Sequence, residues 1–255
     1  MAGAKKSSTT LLIRAYIGVW SVITMAGLGH ATLAQARDIL LLAGGGFAFR
    51  SFSQYTGAIL PFNNQDGGFS QDGPMLRFWQ KSFAFSYTAD LSPNGLTDTT
   101  IDAIGGSFTG EFGYQKNLSQ GRVAFYTGLA YRRFDLSPDD PGADLNKAPV
   151  GIPLTLDASW SPYDQISVST NLSYTILHED YWAQFKIAYQ ASSTVKLGPE
   201  IVFQGGSEYR YVRFGAFVSG IKLGNLNLGA NFGLRDDRRE NQQSLYGDLH
   251  ISFFY

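Results

Sequence analysis

Three side chains near the end of the chain are of the types that serine hydrolases use. Asp248, His250 and Ser252 occupy alternate positions, so in a strand they lie on one face. A serine nucleophile needs a histidine base within hydrogen-bond reach and a third group that orients the base. Residues two apart on a strand are separated by about 7 Å at the backbone, so the spacing permits this contact without requiring it. We keep catalysis by these three residues as an alternative and do not predict it.

Two other polar clusters have simple interpretations. His178 and Asp180 lie at a predicted turn, where a protease of the outer-membrane type would keep such a pair, but a solvated turn is the prediction. Four acidic residues lie in or beside one predicted loop and could offer oxygen ligands to calcium, but they lack the regular spacing of a calcium loop. These four residues are Asp135, Asp139, Asp140 and Asp144. With no cysteine in the chain, thiolate nucleophiles and thiolate zinc sites are excluded, and we expect no metal and no cofactor.

Composition excludes several classes of protein. Of the 255 residues only 16% are charged, 15% are aromatic and 29 are glycine. Soluble domains average about 25% charged residues, and disordered chains carry few aromatic residues. The formal charge of −1 gives no indication of nucleic-acid binding. The composition therefore disfavours a soluble helical protein, disorder and a nucleic-acid partner.

The first 36 residues have the pattern of a secretory signal peptide. Lys5, Lys6 and Arg14 precede an apolar run over 15–28, and an Ala-Gln-Ala sequence at 34–36 fits signal-peptidase cleavage. The run is too short for a spanning helix of roughly 20 residues. We therefore predict a signal peptide at 1–36 and an exported domain that begins at Arg37.

The rest of the chain alternates with a period of two residues. In 165–176, Ile, Val, Leu and Tyr alternate with Gln, Ser and Asn, and 225–235 alternates Leu, Ala and Phe with Asn and Gly. A membrane strand places apolar residues outward and small polar residues inward over about 10 residues. The pattern predicts an all-β, transmembrane, antiparallel up-and-down barrel of about twelve strands, inserted in outer-membrane lipid and forming one domain over 37–255.

Strand and loop positions follow from the same pattern. The predicted strands are 39–50, 53–62, 73–87, 101–116, 121–134, 149–160, 165–177, 181–191, 194–204, 208–221, 224–235 and 244–255. Short connections at 117–120, 161–164, 191–193 and 222–224 are the predicted periplasmic turns, with 63–72 as a long exception. The longest connections of the opposite set, 88–100, 135–148 and 236–243, are the predicted extracellular loops. The aromatic C-terminus, Phe253-Phe254-Tyr255, is typical of outer-membrane barrels.

Several segments carry a family resemblance. The sequence YTGLAYRRFDLSPDDP at 126–141 resembles the central signature of the cellulose biosynthesis protein BcsS family, and YTGA at 55–58, GPMLRFW at 73–79, YWA at 181–183, LGPE at 197–200 and RFGAFV at 213–218 agree with it. The resemblance covers nearly the whole exported domain and implies a role in bacterial cellulose production at the outer membrane. It implies no catalytic residues. The segment at 81–85 departs from the family pattern, which leaves the register of that strand open.

The alternation also predicts a charged lumen. The expected inward residues are Arg77, Arg122, Arg132, Lys186, Lys196, Arg213 and Arg235, with Glu111, Asp157, Glu200 and Asp248. Guanidinium groups and aromatic rings can contact sugar hydroxyls and sugar faces, but the charges can equally pair and plug the barrel. The candidate ligand-binding residues are Arg77, Trp79, Arg122, Tyr126, Arg132, Trp182, Lys186 and Arg213.

We expect a non-catalytic barrel that assists cellulose biosynthesis or secretion, either as a narrow conduit or as a docking scaffold. The expected partners are a cellulose or glucan chain and components of the cellulose synthase or secretion machinery. The loop predicted to contact a protein partner comprises Ser137, Pro138, Asp139, Asp140 and Pro141. A lipid deacylase or protease of the outer membrane, and a general porin, are the alternatives.

Overall fold

The computed structural model is a closed antiparallel barrel in which each strand pairs with its neighbours in the sequence and β1 pairs with β12. It describes residues 39–62, 68–91 and 96–255, so the predicted signal peptide at 1–36 lies outside the described residues. The strands are β1 (Leu40–Ala48), β2 (Ser51–Pro61), β3 (Gly73–Leu91), β4 (Leu96–Leu118), β5 (Gly121–Ser137), β6 (Val150–Tyr163), β7 (Ile166–Ile176), β8 (Asp180–Gln190), β9 (Lys196–Gly205), β10 (Arg210–Leu223), β11 (Leu226–Asp237) and β12 (Gln242–Phe254). The predicted fold class and strand number are confirmed.

The predicted extracellular loops are too long. Thr88 pairs with Thr100 and Ala89 with Thr99, so most of the predicted loop at 88–100 is strand. Threonine is β-branched and suits a pleated strand, which explains the extension. β5 likewise continues through Ser137, which belongs to the strand and not to the predicted partner loop. The loop predicted at 236–243 is reduced to 238–241.

The pairing register between neighbouring strands determines which side chains face inward. Tyr55 pairs with Lys81, and Lys81 pairs with Ser107, which places all three on the inner face and resolves the strand around Lys81. In β7, the predicted inward residues Asn171 and Ser173 pair with Gln184 and Trp182 on the inner face of β8. The predicted alternation of β7 and β11 is confirmed.

The outer surface is apolar. Outward-facing Phe108, Leu129 and Phe232 are 64%, 64% and 61% exposed. A continuous exposed apolar surface of this kind needs a lipid environment, as on the outside of a membrane barrel. Among the described residues, no helix is long and apolar enough to cross a membrane.

Glycine on one strand makes room for an aromatic ring on the next. A Cβ added at Gly57 would lie 2.2 Å from the ring of Trp79, and one added at Gly113 would lie 2.4 Å from the ring of Tyr126. Because only glycine leaves this space, each ring rests against the barrel wall. The rings thus take less of the lumen than rings pointing to its centre.

Two connections fold back onto the inner wall. At the end of the barrel where Ile39 and Tyr255 pair, the predicted periplasmic end, Phe69 from a short 3₁₀ turn packs against Met75 of β3 and Tyr126 of β5. At the opposite, extracellular end, Leu145 of the β5–β6 loop (138–149) is 1% exposed and packs against Tyr87 of β3 and other inward residues. Both ends of the lumen are therefore narrowed from the side of β3 to β5.

Candidate ligand-binding lumen

The inner face carries every residue of the predicted ligand-binding set. The strand registers place on it Arg77, Trp79, Arg122, Tyr126, Arg132, Trp182, Lys186 and Arg213. They occupy two groups of strands, β3 to β5 and β8 to β10. Their role as ligand contacts remains a prediction.

Arg77 is the centre of the first group. Its Nε and Nη2 donate to the two carboxylate oxygens of Glu111 at 2.7 and 3.0 Å, and its Nη1 donates to Asp157 at 3.0 Å. The guanidinium carbon lies 4.2 Å from the ring centre of Tyr126 and 5.7 Å from that of Trp79. The order from wall to lumen is glycine, aromatic ring and guanidinium, which is a rigid and specific arrangement.

Arg213 repeats this arrangement on the other side of the barrel. It pairs with Asp248, and its guanidinium carbon lies 3.9 Å from the ring centre of Tyr246. The Tyr246 hydroxyl donates to Glu200 at 2.7 Å, and Lys186 lies 3.5 Å from the same carboxylate. Trp182 is also near, with its ring centre 5.9 Å from the guanidinium carbon of Arg213.

Arg132 joins the lumen to the extracellular end. It pairs with Asp180 of β8, and its Nη2 donates to the carbonyl of His178 at 3.5 Å. The prediction of a solvated turn is wrong for His178, which is 4% exposed because the end of the β5–β6 loop covers it. Burial lowers the pKa of His178 below its ordinary value, and the nearby Arg132 charge lowers it further, although Asp180 and the loop carbonyls oppose this.

Some inward cations have no carboxylate partner among the described residues. Lys81, which is absent from the predicted inward set, and Arg122 face inward and have accessible surface within the lumen. Lys196 is within 3.5 Å of the Ser167 hydroxyl. The basic set therefore exceeds its carboxylates, as predicted. Strict alternation from Arg77 through Trp79 would have placed Lys81 on the same face.

Aromatic rings contact one another across the lumen near its extracellular end. Phe83 stacks on Phe134, with ring centres 6.2 Å apart, and Phe85 contacts both Phe134 and Tyr209 at 5.9 and 5.8 Å. Tyr209 contacts Tyr211 at 5.5 Å. The collar formed by these five rings crosses from β3 and β5 to β10 and narrows the lumen.

Polar contacts tie the extracellular turns together above this collar. The carboxylate of Glu240 accepts from the backbone N–H and hydroxyl of Thr88 at 3.1 and 3.2 Å. Glu208 accepts from the backbone N–H of Asp144 at 3.2 Å and pairs with Arg239 at 2.7 Å. These contacts link β3, the β5–β6 loop and the two turns that flank β10 and β11.

Part of the predicted partner loop is held by contacts at the extracellular end of the lumen. Asp140 accepts from the Tyr87 hydroxyl at 2.9 Å and is half-buried, whereas Pro138, Asp139 and Pro141 are exposed. Ser137 is exposed too, as the last residue of β5. The loop can therefore offer a partner only its outer residues.

The three residues of the hydrolase alternative do not assemble into a catalytic site. Asp248 pairs with Arg213, and a Cβ added at Gly229 would lie 1.9 Å from Nε2 of His250, so the imidazole rests against β11. In the described part of the chain, no hydrogen bond joins His250 to Ser252 or Asp248. No cluster of potential metal ligands occurs in residues 39–62, 68–91 and 96–255.

A closed barrel with an apolar outer face and a lumen of paired charges and rings defines the class: a membrane β-barrel with a polar, partly filled lumen. Within that class, the chain belongs to the family of the cellulose biosynthesis protein BcsS, whose family model matches residues 40–255. The resemblance seen in the sequence is thus confirmed, and with it a role in cellulose biosynthesis.

Solved barrels of other families resemble the fold distantly. The KdgM porin is 12% identical, with a TM-score of 0.49 over 84% of this chain and 98% of that chain. The Pseudomonas putida toluene transporter TodX is 11% identical, with a TM-score of 0.43 over 89% and 93%. The translocator domain of the autotransporter NalP from Neisseria meningitidis is 10% identical, with a TM-score of 0.47 over 98% and 99%. A search of curated proteins found no match.

Proposed function

We propose that the protein is a non-catalytic barrel of the outer membrane that holds or passes a glucan chain through its lumen during cellulose biosynthesis. The observation that carries the proposal is the layered lining at Arg77 and Arg213, where a guanidinium lies over aromatic rings and is fixed by a carboxylate. Family membership supports the link to cellulose.

The lining suits a polymer of hydroxyl groups. Arg77 and Arg213 are only 4% and 9% exposed, but each guanidinium keeps N–H donors that its carboxylate does not use. A sugar chain that moves the side chains covering these donors can accept hydrogen bonds from them. Because the charges at Arg77 and Arg213 are largely neutralised by their partners, a neutral glucan meets donors without a strong field. Trp79 and Trp182 supply ring surface beside these donors.

Passage requires the closures to open. The aromatic collar narrows the extracellular end and Phe69 narrows the periplasmic end, whereas the side chain of Lys81, between these levels, is accessible within the lumen. The proposed conduit is therefore a chamber that is narrowed at each end.

Single-channel recording in a planar bilayer tests the conduit. We expect a small current that cellohexaose interrupts and that maltohexaose, an α-linked glucan of equal length, interrupts less. Trp79→Ala should weaken the block, whereas Phe78→Ala, which changes an outward residue beside it, should leave the block unchanged. Current that neither sugar interrupts would indicate a general porin and would contradict the glucan proposal.

A docking scaffold is the second candidate. The exposed residues Pro138, Asp139 and Pro141 lie on a loop held in place by Asp140 and Leu145, which gives a fixed surface for cellulose synthase or secretion components. Replacing Asp139 with Ala should lower cellulose yield without altering conductance. Unchanged yield would contradict this role.

A further inference from the structure

Three polar residues form one row across the inner face of β10, β11 and β12. Arg213 pairs directly with Arg235, and Arg235 pairs directly with Ser244. The two arginines are 9% and 7% exposed. Like charges directly opposite each other on neighbouring strands are destabilising, so this pair needs compensation.

The available carboxylates compensate only one of the two charges. Asp248 pairs with Arg213. Arg235 donates to the Ser51 hydroxyl and, at 2.6 Å, to the carbonyl of Phe49, which are both neutral. Asp237, two residues further along the same face of β11, accepts instead from the backbone N–H groups of the next turn at 3.0 and 3.1 Å. A nearly buried guanidinium is thus left without a carboxylate among the described residues, which is costly.

Each member of the row also has a buried polar atom with no partner. These atoms are Nε of Arg213, Nε of Arg235 and Oγ of Ser244. Buried polar atoms in folded proteins are nearly always hydrogen-bonded, so three unpartnered atoms in one row require an explanation. Tyr246 and Tyr211 lie against the two guanidinium groups, at 3.9 and 4.5 Å, and hold them in place.

We propose that this row binds an oxyanion, which is a carboxylate, phosphate or sulfate group. Such a group supplies the negative charge that Arg235 lacks and accepts from the Arg235 guanidinium and from the hydroxyl of Ser244 beside it, while Arg213 keeps Asp248 as its partner. Hydrogen bonds between charged groups are the strongest of their kind. Its source is either a free inorganic anion or an acidic group on a saccharide. The inference goes beyond the proposed passage of glucan and does not depend on it.

Thermal unfolding of the full barrel in detergent tests the site, with phosphate, sulfate, glucuronate and glucose added at constant ionic strength. A ligand that binds only the folded state raises Tm with its concentration. We expect a saturating rise with the oxyanions, none with glucose, and a dissociation constant at least about tenfold higher for Arg235→Gln and Ser244→Ala. A rise in Tm with glucuronate alone would identify an acidic saccharide as the source of the oxyanion. A rise with phosphate or sulfate would identify a free inorganic anion.

Two comparisons keep the test decisive. Arg133→Gln changes an outward-facing arginine and should respond like the unmodified protein, whereas Arg235→Lys keeps the charge and should retain part of the response even if Arg235→Gln folds poorly. An equal Tm rise in all variants, or an equal rise with chloride, would overturn the proposal. Because the readout is unfolding, failure here leaves the conductance test of the glucan proposal unaffected.

Discussion

The rings of Phe85 on β3 and Tyr209 beside β10 meet with their centres 5.8 Å apart. On the shorter way round the barrel, β2, β1, β12 and β11 separate these two strands. The contact therefore crosses the lumen and does not run along its wall. The aromatic collar therefore narrows the lumen from both walls, on the extracellular side of Lys81.

Removing one ring of the collar should open the lumen. We expect Phe85→Ala to increase single-channel current severalfold, because the ring makes contacts with Phe134 and Tyr209 that span the barrel. Phe108→Ala, which removes an outward ring, is the control. If both variants conduct like the parent protein, the collar is not the closure.

Leu145 should hold the β5–β6 loop in the barrel mouth. Leu145→Ala removes a fully buried side chain, a change that typically costs about 2–5 kcal/mol, so the loop should detach. Trypsin should then cut at the exposed Lys147 within the loop. Leu129→Ala, on the lipid face, should remain resistant, and equal resistance of both variants would contradict the role of Leu145.

Acid should loosen the same loop through His178. Burial lowers the pKa of His178 below its ordinary value near 6.5, so the detached loop binds a proton more readily than the attached one. The attached form is therefore favoured above pH 6.5 and loses stability as the pH falls below it. The charged neighbours are Arg132, which adds to this effect, and Asp180, which opposes it.

The measurement is trypsin cleavage at Lys147 between pH 7.5 and 5.5. Cleavage should increase toward the acid end in the parent protein, after correction for the activity of trypsin on a peptide substrate. His178→Gln, which cannot gain the charge, should show a flat profile. A similar rise in both proteins would assign the pH dependence to other groups.

Arg77 should be important for stability. Arg77→Ala leaves the carboxylates of Glu111 and Asp157 without their partner, and breaking a buried pair in this way costs about 3–5 kcal/mol. Arg77→Lys should recover only part of the loss, since lysine cannot bind Glu111 through two parallel bonds. Urea unfolding followed by electrophoretic mobility measures this. Arg122→Ala, at an exposed position, should change stability by less than about 0.5 kcal/mol.

We predict that the first segment is removed when the barrel is exported. The sequence predicts that the mature chain begins at Arg37. N-terminal sequencing of protein isolated from the outer-membrane fraction should read Arg-Asp-Ile-Leu. A chain that still begins at Met1 would contradict the signal peptide.

The two-residue periodicity predicted the face of the barrel wall on which each side chain lies, because that face depends only on the position of the residue along its strand. Lys186 and Arg213 face the lumen as expected, because alternation within a strand fixes the face of each residue. The loop predicted at 88–100 was too long because no local pattern marks where β3 ends, and the pairing of Thr88 with Thr100 is a cross-strand property.

The sequence could not predict the burial of a residue by segments that lie far from it along the chain. His178 was expected in solvent because nothing near it in the sequence covers it, and the covering loop at 138–149 returns from two strands away. Likewise the ring contact between Phe85 and Tyr209 joins residues that no local pattern relates. Strand faces follow from local chemistry, whereas loop placement follows from tertiary packing.

The two in-folded connections attach to the same wall. Phe69 packs on residues of β3 and β5, and Leu145 packs on residues of β3, β4 and β5, so this wall is thickened at both ends. Phe69 also meets Phe254 of β12 with ring centres 5.7 Å apart, and Phe85 meets Tyr209 beside β10, so aromatic contacts reach the facing wall at both ends. A molecule that entered the barrel from either side would therefore have to displace aromatic rings held by two walls.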